Sequence, residues 1–136
     1  MSWPDGWEAQ MWAVHGEVNQ LPYVGDANKY KLDDFWKSID EAGSGDCEDY
    51  AIAKLRRLVV QGWPVEALHL ACCYTEPPRE YHAVLVVDTP TGNAYLLDNR
   101  LDAPVDVGKL QELDYQPDII QAVGGQKAWR EWKFSE

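Results

Sequence analysis

The chain has 136 residues, 46% of them hydrophobic, which is enough for one domain with a packed core and excludes a disordered protein. Its formal net charge is −11 and no cluster of lysines and arginines occurs, so the sequence argues against nucleic acid and anionic membranes as partners. No basic segment followed by an apolar run marks a signal peptide, and no apolar run approaches membrane-spanning length. We therefore expect no membrane insertion and, for the chain as written, a cytoplasmic location.

The first half of the chain has the periodicity of helices. A capping box of Asp5 and Glu8 and an apolar stripe at helical spacing predict the first helix. His15 falls beside that stripe, and we interpret it as a surface or core-edge histidine rather than a catalytic one. The three predicted helices span residues 5–19, 32–42 and 47–61.

The second half is rich in strand-forming residues. Strands are predicted over residues 65–74, 82–88, 93–98 and 129–134, with a short helix over 107–113. Cys72 and Cys73 are adjacent in a strand, so their side chains point to opposite faces and we interpret both as packing residues. Helices followed by an antiparallel meander predict an α+β fold, in one domain over residues 1–136.

Cys47 stands at the beginning of the third predicted helix, directly after the turn Gly43–Gly45. The helix dipole and the free amide groups favour a thiolate at this position, and a backbone amide there can stabilise an oxyanion. Three carboxylates, Asp46, Glu48 and Asp49, flank the cysteine and oppose that effect. The sequence therefore predicts a reactive thiol whose acidic neighbours need neutralising.

A predicted hairpin supplies two partners for this cysteine. If its turn centres on Pro90 and Thr91, paired residue numbers sum to 180 or 181, and His82 lies opposite Asp98 or Asn99. A carboxylate in that position orients an imidazole and supports its charge. A helix tip packed on that sheet edge would complete a triad of Cys47, His82 and Asp98, whereas the alternative is a strand-edge histidine and an ordinary Asp-Asn turn.

Three segments resemble the signature blocks of the bacterial transglutaminase-like cysteine peptidases, the LapG-type proteases that clip biofilm adhesins in the periplasm. They are 46–52 (DCEDYAI), 82–85 (HAVL) and 97–99 (LDN), and the resemblance covers roughly residues 12–136. It implies a papain-like, transglutaminase-type fold with Cys47, His82 and Asp98 as the triad. It also implies calcium near the active site.

The resemblance places that calcium on the acidic residues around the cysteine, here Asp46, Glu48 and Asp49. Calcium prefers several hard oxygen ligands, and the bound ion would offset the three charges. The alternative is that these carboxylates only complement the helix dipole. Family members are often periplasmic, whereas this chain as written has no export signal, so a cytosolic or phage-encoded relative with another substrate is also open.

The function expected from these residues is a cysteine endopeptidase acting on a protein or peptide through an acyl-enzyme. The amide of Cys47 is one expected oxyanion donor, and Trp36 or Asn19 is the candidate for the second. An acyltransferase or transglutaminase on the same fold is one alternative, because sequence does not decide whether water or an amine reaches the thioester. A non-catalytic protein-binding module is the other. The sequence does not indicate the oligomeric state.

Overall fold

The computed structural model describes residues 2–20, 45–76, 79–126 and 128–132, apart from the side chains at positions 46, 48, 49 and 111. Two α-helices lie in this part of the chain, α1 (Trp7–Asn19) and α2 (Gly45–Val60). The helix predicted over 32–42 falls outside the described residues. None of the described helices is long and apolar enough to cross a membrane.

Six antiparallel strands form one sheet in the order β4-β3-β2-β1-β5-β6. The architecture is α+β, as predicted. The two 3-10 helices span Val65–Ala67 and Val107–Leu113. The strands are β1 (Leu68–Thr75), β2 (Glu80–Asp88), β3 (Ala94–Leu97), β4 (Val105–Asp106), β5 (Tyr115–Gln121) and β6 (Trp129–Glu131).

The sheet separates two hydrophobic clusters. One contains residues of α1 and α2 together with Cys72 and Ala83, and the other contains Cys73 and Val84. Neighbouring residues of a strand point to opposite faces, which explains why adjacent positions enter different clusters. Cys72 and Cys73 are both fully buried, so their interpretation as packing residues is confirmed.

The register of the β2–β3 hairpin differs from the prediction. Leu85 pairs with Leu97 and Asp88 with Ala94, so paired numbers sum to 182. The turn is longer than expected because Thr89 and Asn93 close it through a backbone hydrogen bond of 3.1 Å. The ladder ends at Leu97, and the predicted pairing of His82 with Asp98 or Asn99 across it is therefore wrong.

Strand β5 was not predicted, although it is an interior strand of the sheet, between β1 and β6. Its sequence contains Gln116, Pro117 and Asp118, which interrupt the apolar alternation of a central strand. Pro117 pairs with Cys73 where the β1–β5 register shifts. A bulge accommodates the proline because a residue without an N–H cannot complete a regular ladder.

The beginning of α1 also differs from the prediction. Gly6, with a φ of 77°, is the N-cap, and no side chain caps the helix, so the capping box of Asp5 and Glu8 is absent. Glycine adopts this left-handed conformation without the steric penalty of a side chain. His15 is fully buried on this helix, so of the two predicted positions the surface one is wrong.

Candidate active site

Cys47 is the third residue of α2, so its side chain lies in the first turn of the helix. The residue is only 5% exposed. The backbone N–H of Ala83 donates a hydrogen bond of 3.2 Å to the Cys47 sulfur. The sulfur therefore accepts a hydrogen bond from β2 at the N-terminus of α2.

The Ala83 amide can reach the sulfur because β2 is longer than β3. Residues 85–88 of β2 pair with β3, whereas Ala83 pairs with Cys72 on the opposite side, in β1. A strand that runs beyond its neighbour leaves backbone N–H groups unpaired on that side. The tip of α2 uses this stretch of β2 as its docking position.

His82 and Asp98 meet at the same end of the sheet. The Nε2 atom of His82 is hydrogen-bonded to Oδ1 of Asp98, and both residues are buried. Asp98 directly follows the last residue of β3, so it lies beyond the ladder and its side chain spans the remaining gap. The backbone N–H of Arg100 also donates to Oδ1, at 3.3 Å.

Tyr115 provides a further contact to the carboxylate. Its hydroxyl group, at the beginning of β5, donates a hydrogen bond to Oδ2 of Asp98. Burial and the charge of Asp98 raise the pKa of Tyr115, so the phenol stays protonated and remains a donor. Both carboxylate oxygens of Asp98 therefore have partners inside the protein.

Hydrogen bonds determine the protonation states of His82 and Asp98. Burial disfavours the imidazolium of His82, but hydrogen bonds to Asp98 and Cys47, and the charges of both, raise the pKa of His82 to about 9. Burial alone would raise the pKa of Asp98, and its bonds with His82 and Tyr115 instead lower it. Because Nε2 faces Asp98, Nδ1 is the nitrogen left for Cys47. The arrangement favours an ionised carboxylate beside a protonated imidazole.

Asn19 holds the backbone behind Asp98. Its amide nitrogen donates to the carbonyl oxygens of Asp98 (3.2 Å) and Leu101 (3.1 Å). His15 approaches the same Leu101 carbonyl through Nε2, at 2.8 Å. Both N–H bonds of the Asn19 amide are thus directed at this turn. Its role as an oxyanion donor stays a prediction, and Trp36, the other candidate, lies outside the described residues.

Comparisons with known proteins identify the family of the chain. A sequence model described as bacterial transglutaminase-like cysteine proteinase matches residues 4–135. The chain belongs to this family. No curated protein sequence matches it significantly.

Solved structures of Legionella pneumophila LapG are similar in fold. An EGTA-treated LapG structure has a TM-score of 0.64 at 25% identity, covering 93% of this chain and 67% of LapG. A calcium-bound LapG structure has a TM-score of 0.61 at 28% identity, covering 95% of this chain and 74% of LapG. A third LapG structure has a TM-score of 0.61 at 28% identity, covering 86% of this chain and 66% of LapG. The chain spans about two thirds to three quarters of these LapG chains.

The acidic residues expected to bind calcium, Asp46, Glu48 and Asp49, belong to the first five residues of α2. Their side chains lie outside the described structure. Elsewhere in the described residues, no group of three or more histidine, cysteine, aspartate or glutamate side chains could hold a metal ion.

Two contacts of this transglutaminase-like site were not anticipated from the sequence. The Ala83 amide could have been found by comparing the lengths of β2 and β3, but only with the correct turn. Tyr115 is 17 residues from Asp98 and on an unpredicted strand, so no local pattern indicates it. Both contacts depend on how the strands are ordered in the sheet.

Proposed function

We propose that this protein is a cysteine endopeptidase in which Cys47 is the nucleophile, His82 the base and acid, and Asp98 the residue that orients His82. One observation carries the proposal. The buried His82 is hydrogen-bonded to the buried Asp98, and the backbone N–H of the next residue, Ala83, donates to the sulfur of the helix-tip Cys47. A nucleophile, a base and an orienting group in contact are the geometric signature of covalent acyl transfer.

The first half of the reaction forms the acyl-enzyme. The Cys47 sulfur attacks the carbonyl carbon of a peptide bond and gives a tetrahedral oxyanion. The carbon–nitrogen bond then breaks, and the amine leaves with the proton that His82 carries on Nδ1. Asp98 holds Nε2 of His82 throughout, so this proton is on the nitrogen that faces the sulfur.

The second half hydrolyses the thioester. His82 takes a proton from water, whose oxygen attacks the thioester carbon, and the carbon–sulfur bond breaks to release a carboxylic acid. The Cys47 amide is the proposed donor to the oxyanion in both halves. Trp36 and Asn19 are the candidates for a second donor, although the Asn19 amide hydrogens are used at the Asp98 turn.

We propose that Asp46, Glu48 and Asp49 hold a calcium ion. Carboxylate oxygens are the ligands that calcium prefers, and the similar LapG protein has a calcium-bound structure. When bound, the ion would offset the negative charge around Cys47. Every proton transfer proposed above is made by the residues of the chain itself.

The first test is the rate at which iodoacetamide alkylates each cysteine, followed by mass spectrometry of peptides. Cys72 and Cys73 are fully buried, and burial raises the pKa of both, so they are internal controls in the same molecule. We expect Cys47 to react fastest and to slow in a His82→Ala variant. Equal rates for Cys47 in both proteins would contradict the proposed activation.

The second test is turnover of an unfolded, carboxymethylated protein, with new chain ends identified by mass spectrometry. A Cys47→Ser variant is the blank, and water labelled with oxygen-18 marks carboxylates formed by hydrolysis. New labelled termini with the wild-type protein support a peptidase. Addition of a primary amine distinguishes acyl transfer, because that reaction gives an unlabelled amide. No product in either condition contradicts the proposal.

A further inference from the structure

Three buried polar atoms lie behind the proposed triad and have no hydrogen-bond partner within the described residues. They are Nδ1 of His15, Oδ1 of Asn19 and Nζ of Lys54. Leaving a buried polar group unpaired costs about 1–3 kcal/mol, and more for a charged group. Three such atoms at neighbouring elements are therefore unusual, and they require an explanation.

Lys54 is the most unusual of the three. It is fully buried, although lysine is almost never fully buried without a partner. It follows Cys47 by seven residues in α2, so both side chains lie on the inward face of the helix. The charge of Lys54 acts on His15 in α1, and the charge of Asp98 acts on Lys54. Burial lowers the pKa of Lys54 to about 7, and the charge of Asp98 opposes that fall.

The hydrogen bonds of His15 determine which of its nitrogens carries a proton. Nε2 lies 2.8 Å from the Leu101 carbonyl oxygen, a contact that is attractive only if Nε2 is protonated and donates. Burial, followed by the charge of Lys54, lowers the pKa of His15 to about 4, so the ring is neutral at pH 7. Nδ1 is consequently an acceptor. The amide nitrogen of Asn19 lies 3.1 Å from Nε2 of His15 because both nitrogens donate to the same Leu101 carbonyl oxygen.

Asn19 is oriented in the same way. Its amide nitrogen faces the carbonyls of Asp98 and Leu101, so its Oδ1 atom points to the other side. The three unpaired atoms are thus one group of N–H donors, on Lys54, and two acceptors, on His15 and Asn19. Their chemistry is complementary.

We propose that Lys54 is a positioning residue for the proposed triad, donating through a buried water to Nδ1 of His15 and Oδ1 of Asn19. These contacts hold both side chains in the orientation that fixes the Asp98–Leu101 turn. Lys54 thereby connects α2, which carries Cys47, to the turn that carries Asp98. A neutral amine keeps N–H donors as well, so the connection exists in either protonation state. The catalytic part of this inference depends on the proposed peptidase function.

The first experiment needs no variant and no substrate. Nitrogen-15 NMR distinguishes protonated from unprotonated ring nitrogens, and the chain has only 3 histidines, assigned with His69→Gln and His82→Gln variants. We expect His15 to be neutral, with its proton on Nε2 and an unprotonated Nδ1. A proton on Nδ1, or a mixture of both tautomers, overturns the proposal whatever the activity is.

The second experiment replaces Lys54 with methionine, which has a similar shape and no N–H donor. We expect kcat to fall about tenfold in Lys54→Met with KM within about twofold, because substrate contacts remain and the Asp98 turn shifts. The exposed Lys109 gives the matched control, Lys109→Met, which should retain both constants. An unchanged kcat in folded Lys54→Met overturns the positioning role.

A third readout separates positioning from packing. In Lys54→Met the pKa of His15 should rise towards its ordinary value, because one of the two causes of its depression is removed. An unchanged His15 titration contradicts the proposal. If Lys54→Met does not fold, the tautomer of His15 in the wild-type protein decides whether the proposal holds. If the wild-type protein has no peptidase activity, the tautomer and titration still test the contact itself.

Discussion

Asp98 accepts hydrogen bonds on every side. His82 and the Arg100 amide bond to Oδ1, Tyr115 bonds to Oδ2, and Asn19 bonds to its backbone carbonyl. A buried carboxylate is stable only when its lone pairs are satisfied in this way. The same bonds fix the plane of the carboxylate and hence the direction in which His82 faces Cys47. Residues outside the proposed triad therefore determine how its aspartate and histidine are oriented.

Replacing Tyr115 with phenylalanine tests this point. The variant removes one hydrogen bond from a buried charge, a contact worth about 1.5–3 kcal/mol. We expect kcat/KM to fall about tenfold, and the melting temperature to fall as well, because Oδ2 loses its partner. Peptidase assays and thermal unfolding at pH 7 measure both effects.

Tyr81→Phe is the matched control for Tyr115→Phe. Tyr81 donates to a carboxylate oxygen of Asp118 at 2.6 Å, so Tyr81→Phe removes the same kind of bond from a carboxylate that is not part of the proposed triad. We expect lower stability with little change in kcat/KM. Equal losses of activity in the two variants would show that Tyr115 acts through general stability alone.

The protonation of His82 predicts a pH dependence of stability. Its pKa is about 9 in the folded protein and about 6.5 when unfolded, so its contribution is fully present below pH 6.5. That contribution is lost as the pH rises through 9, with a total on the order of 3 kcal/mol. The lowered pKa of Lys54 changes stability in the opposite direction over the same range, so the His82 contribution is measured as a difference. In urea unfolding at pH 6, 7.5 and 9.5, the stability advantage of the wild-type protein over His82→Gln should shrink as the pH rises.

At the level of elements, the site exists because β2 and β3 differ in length. The hairpin carries His82 on the part of the long strand that β3 does not reach, and Asp98 just beyond the short strand. Sequence patterning identified both residues, since alternation in a hairpin and the helix-tip cysteine are local signals. The predicted register of the β2–β3 hairpin was wrong because the sequence does not show that Thr89 and Asn93 close the turn. A shift of one residue in the register places different side chains opposite each other.

Strand β5 and the interior of the site could not be predicted for a different reason. Tyr115 and Lys54 act through neighbours that are distant in sequence, and their contacts follow from strand order and helix packing. A lysine at an inward helical position contradicts simple amphipathic patterning. Such local conflicts are expected where function overrides the hydrophobic pattern.

Two glycine substitutions test the elements with opposite expected signs. Gly92 in the hairpin turn has a φ of +86°, so Gly92→Ala should lower stability by about 1 kcal/mol. Gly16 lies inside α1, and a methyl group added there would meet no atom within 4 Å, so Gly16→Ala should raise stability by about 0.5–1 kcal/mol. Urea unfolding of both variants checks the signs, and equal signs would contradict the assigned backbone conformations.

At the level of the whole molecule, the net charge is −11, so a bound cation would affect the stability of the fold as well as catalysis. Like charges repel in the folded state, and three of them are concentrated around Cys47. A cation bound there stabilises the fold because the unfolded chain has no preformed site.

We therefore expect calcium to raise the melting temperature relative to EGTA. The gain should correspond to about 2.7 kcal/mol at a calcium concentration one hundred times the dissociation constant. Thermal unfolding in buffers of equal ionic strength, with magnesium or sodium in place of calcium, separates a specific site from general screening. Magnesium should substitute poorly, since it prefers a smaller octahedral site and retains its water.

The variant Asp46→Asn/Asp49→Asn assigns that effect to the proposed ligands. We expect it to lose the calcium-dependent shift while keeping its stability in EGTA, because two charges that repel without the ion have been removed. Glu112→Gln, at an exposed residue far from α2 in sequence, is the matched control and should retain the shift. A shift that survives in the double variant places the cation elsewhere. In that case the neutralisation of the charges beside Cys47 requires another source, for which the helix dipole is the remaining candidate.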